Sequence, residues 1–448
     1  MSRNTVVAAA LCAFAIRVAS AEPLMVAQDG SGQFNGNDHQ PIQAAIDQAA
    51  KQGGGEVIIA KGDYLIGTSL KIGAATNLTI RGQSGTVLRL PPLPHAQSVE
   101  AALAGATSLR VDRVEGFTMG MQLHFVAPGK VHPFTGKPAP YFLATVARVE
   151  PGRLEFKAPL EFPAPAGTRL YREKAPNIFR IQGSAANIVI ERLTLNGGRR
   201  ADDPKLSGHV IGCGVLAEGP YSYERGPIGP PVQRLVVRDC VIRCCYGRGV
   251  AMYSVTEGVV ERCTIEETVD EAIDFDHFAV GCRAVGNTVT GCRVGVEMND
   301  ANNCLVRGNR FESCDAGINL WRWCRQPELN VRNQVLENQF LNTRGSAILI
   351  RPNSASNDIS GNIVRGSGSV GIILEGSHQT LAENTVTGSA KEAIRVNGDD
   401  NIVRGNRCRD NNTAKPGQGE AIRVTGDRNR VNDNIVTPRP GTTSRKKS

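Results

Sequence analysis

An asparagine returns along the second half of this 448-residue chain, each time inside the same short pattern. Asn287, Asn309, Asn338, Asn362, Asn384, Asn406 and Asn434 recur mostly every 22 to 24 residues, and wider gaps precede Asn338 and Asn434. Each unit, such as CRAVGNTVTGCRVGVEMND at 282–300, carries an apolar-alternating stretch, the Asn, a short stretch, a Gly or Ala, and another alternating stretch. Segments this short cannot bury a face alone, so they must stack on one another. If each unit is one coil, equivalent positions lie about 4.8 Å apart along the stack. Ile273, Val296, Ile318, Ile348, Ile372 and Ile394 then form one inward apolar column, and the asparagines form a hydrogen-bonded ladder. Parallel crossovers are right-handed. The expected fold is all-β, a single-stranded right-handed parallel β-helix.

The remaining segments fit around that stack. Ile42, Ala45, Ile46 and Ala49 share one helical face, ending at Gly53-Gly54-Gly55, and such a helix would cap the open first coil. Residues 94–175 break the period with longer alternating strands and read as a small β insertion. The stretch 219–231 is a long excursion able to overhang one face. The organisation expected is a signal peptide at 1–21, the cap and first coils at 22–93, the insertion at 94–175, β-helix repeats at 176–437, and a disordered basic tail at 438–448.

Residues 1–21 carry Arg3, an apolar run at 6–16 and Ala19-Ser20-Ala21, the pattern of a secretory signal. The protein is therefore expected in the periplasm or outside the cell, with no membrane span. The net charge of +8 falls to +2 once six cationic residues in the leader and tail are removed: Arg3, Arg17, Arg439, Arg445, Lys446 and Lys447. Little basic excess remains on the folded body, and no nucleic-acid module is visible, so nucleic acid is not an expected partner. Cysteines beyond Cys12 fall in register with the repeats (Cys240 and Cys263 share the asparagine column), which favours inward stacking and leaves room for one or two disulfides.

The opening VAQDGSGQF, the following IQAAIDQAAKQGGGEVIIAKGDYLI and the repeats resemble the pectate-lyase-like superfamily of right-handed β-helix proteins. The resemblance covers 22–93 and 176–437. It implies a fold shared by lyases, polygalacturonases and epimerases without choosing among them.

Register sharpens the question of chemistry. With Ile273 and its equivalents inward, one outward column reads Ala251, Asp274, Glu297, Asn319, Leu349. A second reads Tyr253, Asp276, Asn299, Trp321, Arg351, and the next Ser254, His277, Asp300, Arg322. Asp274 and Glu297 fall on adjacent coils, too close for both to be comfortably charged. Either one holds a proton and serves as a general acid, or a cation such as Ca²⁺ sits between them. Resemblance to calcium-dependent pectate lyases implies the second. Residues 270–274 are similar to their Asp-Gly-x-x-Asp segment, with Glu271 in place of glycine, and Arg351-Pro352 is similar to their Arg-x-Pro. That resemblance implies Asp270 and Asp274 as metal ligands and Arg351 as the base, and with Asp276 and Glu297 beside them all four are expected to hold Ca²⁺ or the substrate carboxylate. The catalytic candidates are Asp274, Asp276, His277, Glu297 and Arg351. Tyr253, Asn299, Asn319, Trp321 and Arg322 are the substrate-binding candidates. The expected function is β-elimination of an acidic polysaccharide by a monomer. The alternatives are an inverting hydrolase or a uronan C5-epimerase using the same acids, or a non-catalytic glycan-binding scaffold.

Overall fold

The computed structural model describes residues 22–126, 142–173, 175–201, 203, 212–324, 326, 328–416 and 420–437. The leader at 1–21 and the tail at 438–448 lie outside the described residues. Three long parallel sheets, of 15, 12 and 11 strands, run side by side along one axis. The chain visits them in turn. Val259–Glu261, Thr264–Glu266 and Glu271–Asp276 make one coil, and Arg283–Val285, Thr288–Thr290 and Val294–Asn299 make the next. Ile273 pairs with Val296, Val296 with Ile318, and Ile318 with Ile348. Their buried side chains belong to one continuous core running from Leu24 to Cys408. This is a right-handed parallel β-helix.

The helix His39–Lys51 closes the first coils, burying Ile42, Ala45, Ile46 and Ala49. The Asp38 side chain caps it by accepting the Gln40 N–H at 2.8 Å. Among the described residues no helix is long and apolar enough to cross a membrane.

Corners repeat as faithfully as strands. Asn309 donates its backbone N–H (3.0 Å) and its side-chain amide (2.9 Å) to Asn338 Oδ1, and the same bonds run from Asn287 to Asn434. The residue before each ladder asparagine adopts a left-handed conformation, such as Gly286 and Gly308 (φ 64 at both). Earlier coils put Cys263 at this corner, and its N–H donates to Asn287 Oδ1 at 2.9 Å. A second ladder of Asn333, Asn357, Gln379, Asn401 and Asn429 lines another corner, again beginning above a cysteine, Cys304. The expected ladder thus has a twin that the period of the first one hid. Every cysteine among the described residues is a free thiol.

Strands from His95–Gln97 to Arg169–Arg172 form a six-stranded antiparallel sheet with its own core, including Leu123, Phe125, Val146, Leu154 and Leu170. It meets the coils through Leu93, Val126, Tyr171, Ala175 and Tyr246. Tyr246 fastens the junction, accepting the Leu93 N–H at 2.9 Å and donating to Asp203 Oδ2 at 2.5 Å. A small hairpin, Tyr221–Ser222 with Gly226–Pro227, leans over the 11-stranded face.

Candidate active site

The strand Glu271–Asp276 is buried at every position, on its outward side as well as its inward one. Outward acids on a β-helix are ordinarily solvated, so this burial needs a cause. At the strand's end Tyr221 and Tyr223 of the hairpin cover His277, one ring tilted and the other edge-on, with ring centroids 4.9 Å away in both cases. Gln326 ties the hairpin down, its side-chain amide donating to Glu224 O at 3.1 Å.

The outward columns stand in the register read from the sequence. Ala251 pairs with Asp274, Asp274 with Glu297, Glu297 with Asn319, and Asn319 with Leu349. Tyr253 pairs with Asp276, and Asn299 with Trp321. Tyr253 donates its hydroxyl to Asp274 Oδ2 at 3.1 Å, and Asn319 donates its amide to Glu297 Oε2 at 2.9 Å.

Two arginines enter this cluster. Arg248 Nε lies 2.6 Å from Asp274 Oδ2 and 2.8 Å from Glu271 Oε2, and another guanidinium nitrogen lies 3.4 Å from Asp270 Oδ2. Nε is not aligned for a hydrogen bond with either near carboxylate, so these are ion pairs by proximity. Arg293 pairs with both Asp270 and Glu271. The Arg248 guanidinium also lies 5.8 Å from the centre of the Tyr253 ring.

Four carboxyls (Asp270, Glu271, Asp274, Glu297) thus lie in one buried cluster with two guanidiniums, an excess of acid that favours the protonated form of some of them. The individual groups follow suit. Burial drives Asp274 well above the usual carboxylate range, with Asp276 and Glu271 adding to it against Arg248. Burial and then the Asp270 charge do the same to Glu271. Burial and the Asp274 charge lift Glu297 to about 7. Asp270 is the exception: burial pushes it up, but Arg248 and Arg293 outweigh that and hold it below its ordinary value.

His277 sits at the corner that follows the strand, with a left-handed φ of 44°, and Asp300 occupies the next corner at φ 52°. Its Nδ1 lies 3.0 Å from Asp276 Oδ1 and 3.9 Å from Asp300 Oδ2, and its Nε2 lies 3.3 Å from the Tyr223 hydroxyl. The Tyr253 ring is 5.1 Å away. Burial works to lower the imidazole pKa, but Asp276 and Asp300 overcome it and raise it to about 9.

Calcium does not fit the acidic cluster. Its hard-oxygen ligands would be Asp270, Asp274, Asp276 and Glu297, yet Arg248 and Arg293 already supply positive charge to Asp270 and Asp274 and press against their oxygens.

A family model described as "Periplasmic copper-binding protein (NosD)" matches residues 232–437, just under half of the chain. No curated protein matches the sequence. Among solved structures, the mannuronan C-5 epimerase AlgE4 A-module of Azotobacter vinelandii superposes with a TM-score of 0.55 at 12% identity, over 91% of this chain and 95% of that one. A complex of XylC with xylose superposes with a TM-score of 0.52 at 11% identity, over 92% and 86%. The fold shared with these structures is the right-handed parallel β-helix. At these identities the likeness carries the fold and not the reaction.

On this β-helix the sequence-derived candidates separate into two groups. Asp270, Asp274, Asp276, His277, Glu297, Tyr253, Asn299 and Asn319 gather on successive coils. Arg351 does not join them. It is exposed, without a side-chain partner among the described residues, and stands three coils beyond Asp274, about 14 Å along the axis at the rung spacing. Trp321 is half-buried and packs edge-on against Trp323, with centroids 5.6 Å apart and Trp323 the more exposed. Arg322 is half-buried beside them. Sequence reading missed Arg248, Arg293, Tyr221, Tyr223 and Asp300 as site members. For the two arginines the signal was present: they precede Val250 and Val296 by two and three positions, the stations that Glu271 and Asp270 hold before Ile273.

Proposed function

We propose that the chain is an exported enzyme that cleaves an acidic polysaccharide by hydrolysis, with carboxyl groups of the 11-stranded face as acid and base. The observation that carries this reading is the composition of the buried cluster, four carboxyls beside two guanidiniums, with burial and Asp274 lifting Glu297 to about 7. A carboxylic acid that keeps its proton near neutral pH can pass it to a glycosidic oxygen as the bond breaks. Glu297 or its neighbour Asp274 takes that role, and Asp276 activates the attacking water. The partly exposed side chains of Arg248 and Arg293, with protonated His277, offer positive charge to a uronate carboxylate. Asn299, Asn319, Arg322 and the half-buried Trp321 extend the binding surface over the next coils, the indole by stacking on a sugar ring. Sequence alone favoured calcium-assisted elimination; the arginines and the retained protons turn the preference to hydrolysis.

A second reading, β-elimination, is favoured by His277 lying among Tyr221, Tyr223 and Tyr253. A neutral imidazole there would remove the C5 proton of a uronate, which requires alkaline pH because the group titrates at about 9. The deciding experiment follows reducing ends and the ultraviolet absorbance of unsaturated sugars together, on a panel of polyuronates and neutral glycans. Reducing ends without absorbance support hydrolysis. Both signals together, strongest at alkaline pH, establish elimination instead, and neither signal leaves epimerisation or a glycan-binding scaffold.

A further inference from the structure

The Asp274 side of the cluster has Arg248 and Arg293, but the His277 side has no such partners. Among the described residues neither Asp276 nor Asp300 pairs with a lysine or arginine, and His277 is their one cationic neighbour. All three side chains are buried. Two buried carboxylates against one imidazole are short of positive charge.

The donor atoms converge. One ligand atom from each of Asp276, His277 and Asp300 lies within 4.8 Å of the other two. His277 is only 8% exposed, and its Nδ1 faces both carboxylates without an aligned hydrogen bond to either. The backbone holds the carboxylates in place. The His277 N–H donates to Asp276 Oδ1 at 2.6 Å, and those of Trp323 and Cys324 donate to Asp300 Oδ1 at 2.8 and 3.0 Å. Carboxylates held by backbone N–H groups, with an imidazole nitrogen facing both, match the outer-shell support that metal ligands receive, and a bound cation would displace the proton that His277 holds in the metal-free protein.

We infer that Asp276, His277 and Asp300 bind a divalent transition-metal ion of borderline softness, Zn²⁺ being the simplest probe. An imidazole beside two carboxylates suits such ions, whereas Ca²⁺ and Mg²⁺ take oxygen alone. A neutral imidazole and two carboxylates also cancel the charge of a dication, removing the shortfall. Three protein ligands leave coordination positions for water or a sugar hydroxyl. Binding of this ion requires no turnover and does not rest on the hydrolytic reading.

The test is equilibrium dialysis of the mature protein against Zn²⁺ without glycan, with visible absorption of the Co²⁺ form reporting the ligand field. One ion per chain is expected. Affinity should fall about tenfold or more in Asp300→Asn and in His277→Gln, and persist in Glu297→Gln. Thermal melts of the metal-free variants check that each is folded. Absence of binding to the wild type, or wild-type affinity in folded Asp300→Asn and His277→Gln, would overturn the assignment. Loss in Glu297→Gln alone would overturn it too, by moving the ion to the acidic cluster. Failure of the hydrolysis assay leaves this result untouched.

Discussion

Asp274 and Glu297 hold the same outward position on consecutive coils and compete for charge across a single rung of the sheet. Cleavage that uses Glu297 as its acid should weaken as pH rises through about 7, where that proton is lost. Glu297→Gln should lower kcat by about 10²-fold or more while erasing that limb of the profile. Rate measurements on a soluble polyuronate across neutral pH check both. A profile unchanged in the variant would remove Glu297 from the mechanism.

His277 gives a stability signature of opposite chemistry. Its ordinary value is 6.5 and its folded value is about 9, so the folded state holds the proton more tightly. The contribution is whole below 6.5 and is lost as pH rises through about 9. Melting temperature of the metal-free protein should therefore decline from neutral to alkaline pH, and His277→Gln should flatten that decline. Calorimetry on the two proteins makes the comparison.

Arg248→Met would leave Asp274 without its guanidinium and Glu271 with Arg293 alone. Removing one partner from a buried ionic network costs about 3–5 kcal/mol. The loss should be smaller at mildly acidic pH, where the stranded carboxyls keep their protons. Urea denaturation at two pH values reads the difference.

Asn338→Ala removes the acceptor for two donors of Asn309 and deletes the amide that reaches Val306 O and Asn362 Oδ1. With those groups buried, the expected cost is at least about 2 kcal/mol. Asn434→Ala, at a half-buried rung, should cost about 1 kcal/mol or less, because water can replace its bonds. Denaturant titration of the two variants ranks them.

How much was legible in the sequence depended on geometry along the strand. Alternation places Asp274 opposite Glu297 once Ile273 and Val296 are known to point inward, and nothing beyond counting is needed. Arg248 and Arg293 approach the same acids from the corner before the strand, where no period of two applies. Their role was thus hidden, although their spacing was not. Tyr221 and Tyr223 belong to an excursion with no register to the coils, so no counting could bring them to His277. The second ladder escaped because Gln379 interrupts its asparagines and because Cys304 begins it.

The ladders also give the solenoid a direction. In every rung the bond to the asparagine Oδ1 runs from a donor on the earlier coil to an acceptor on the later one, from Cys263 to Asn287 and onward to Asn434. Each ladder asparagine therefore donates its amide back to a carbonyl of the coil before it, as Asn338 does to Val306 O, and turns its backbone N–H and a second amide hydrogen to the coil after it. Loss of the last coil would therefore strip the new end of the acceptor for its backbone N–H and one amide hydrogen, while the bond back to the earlier coil survives, so the stack frays one rung at a time.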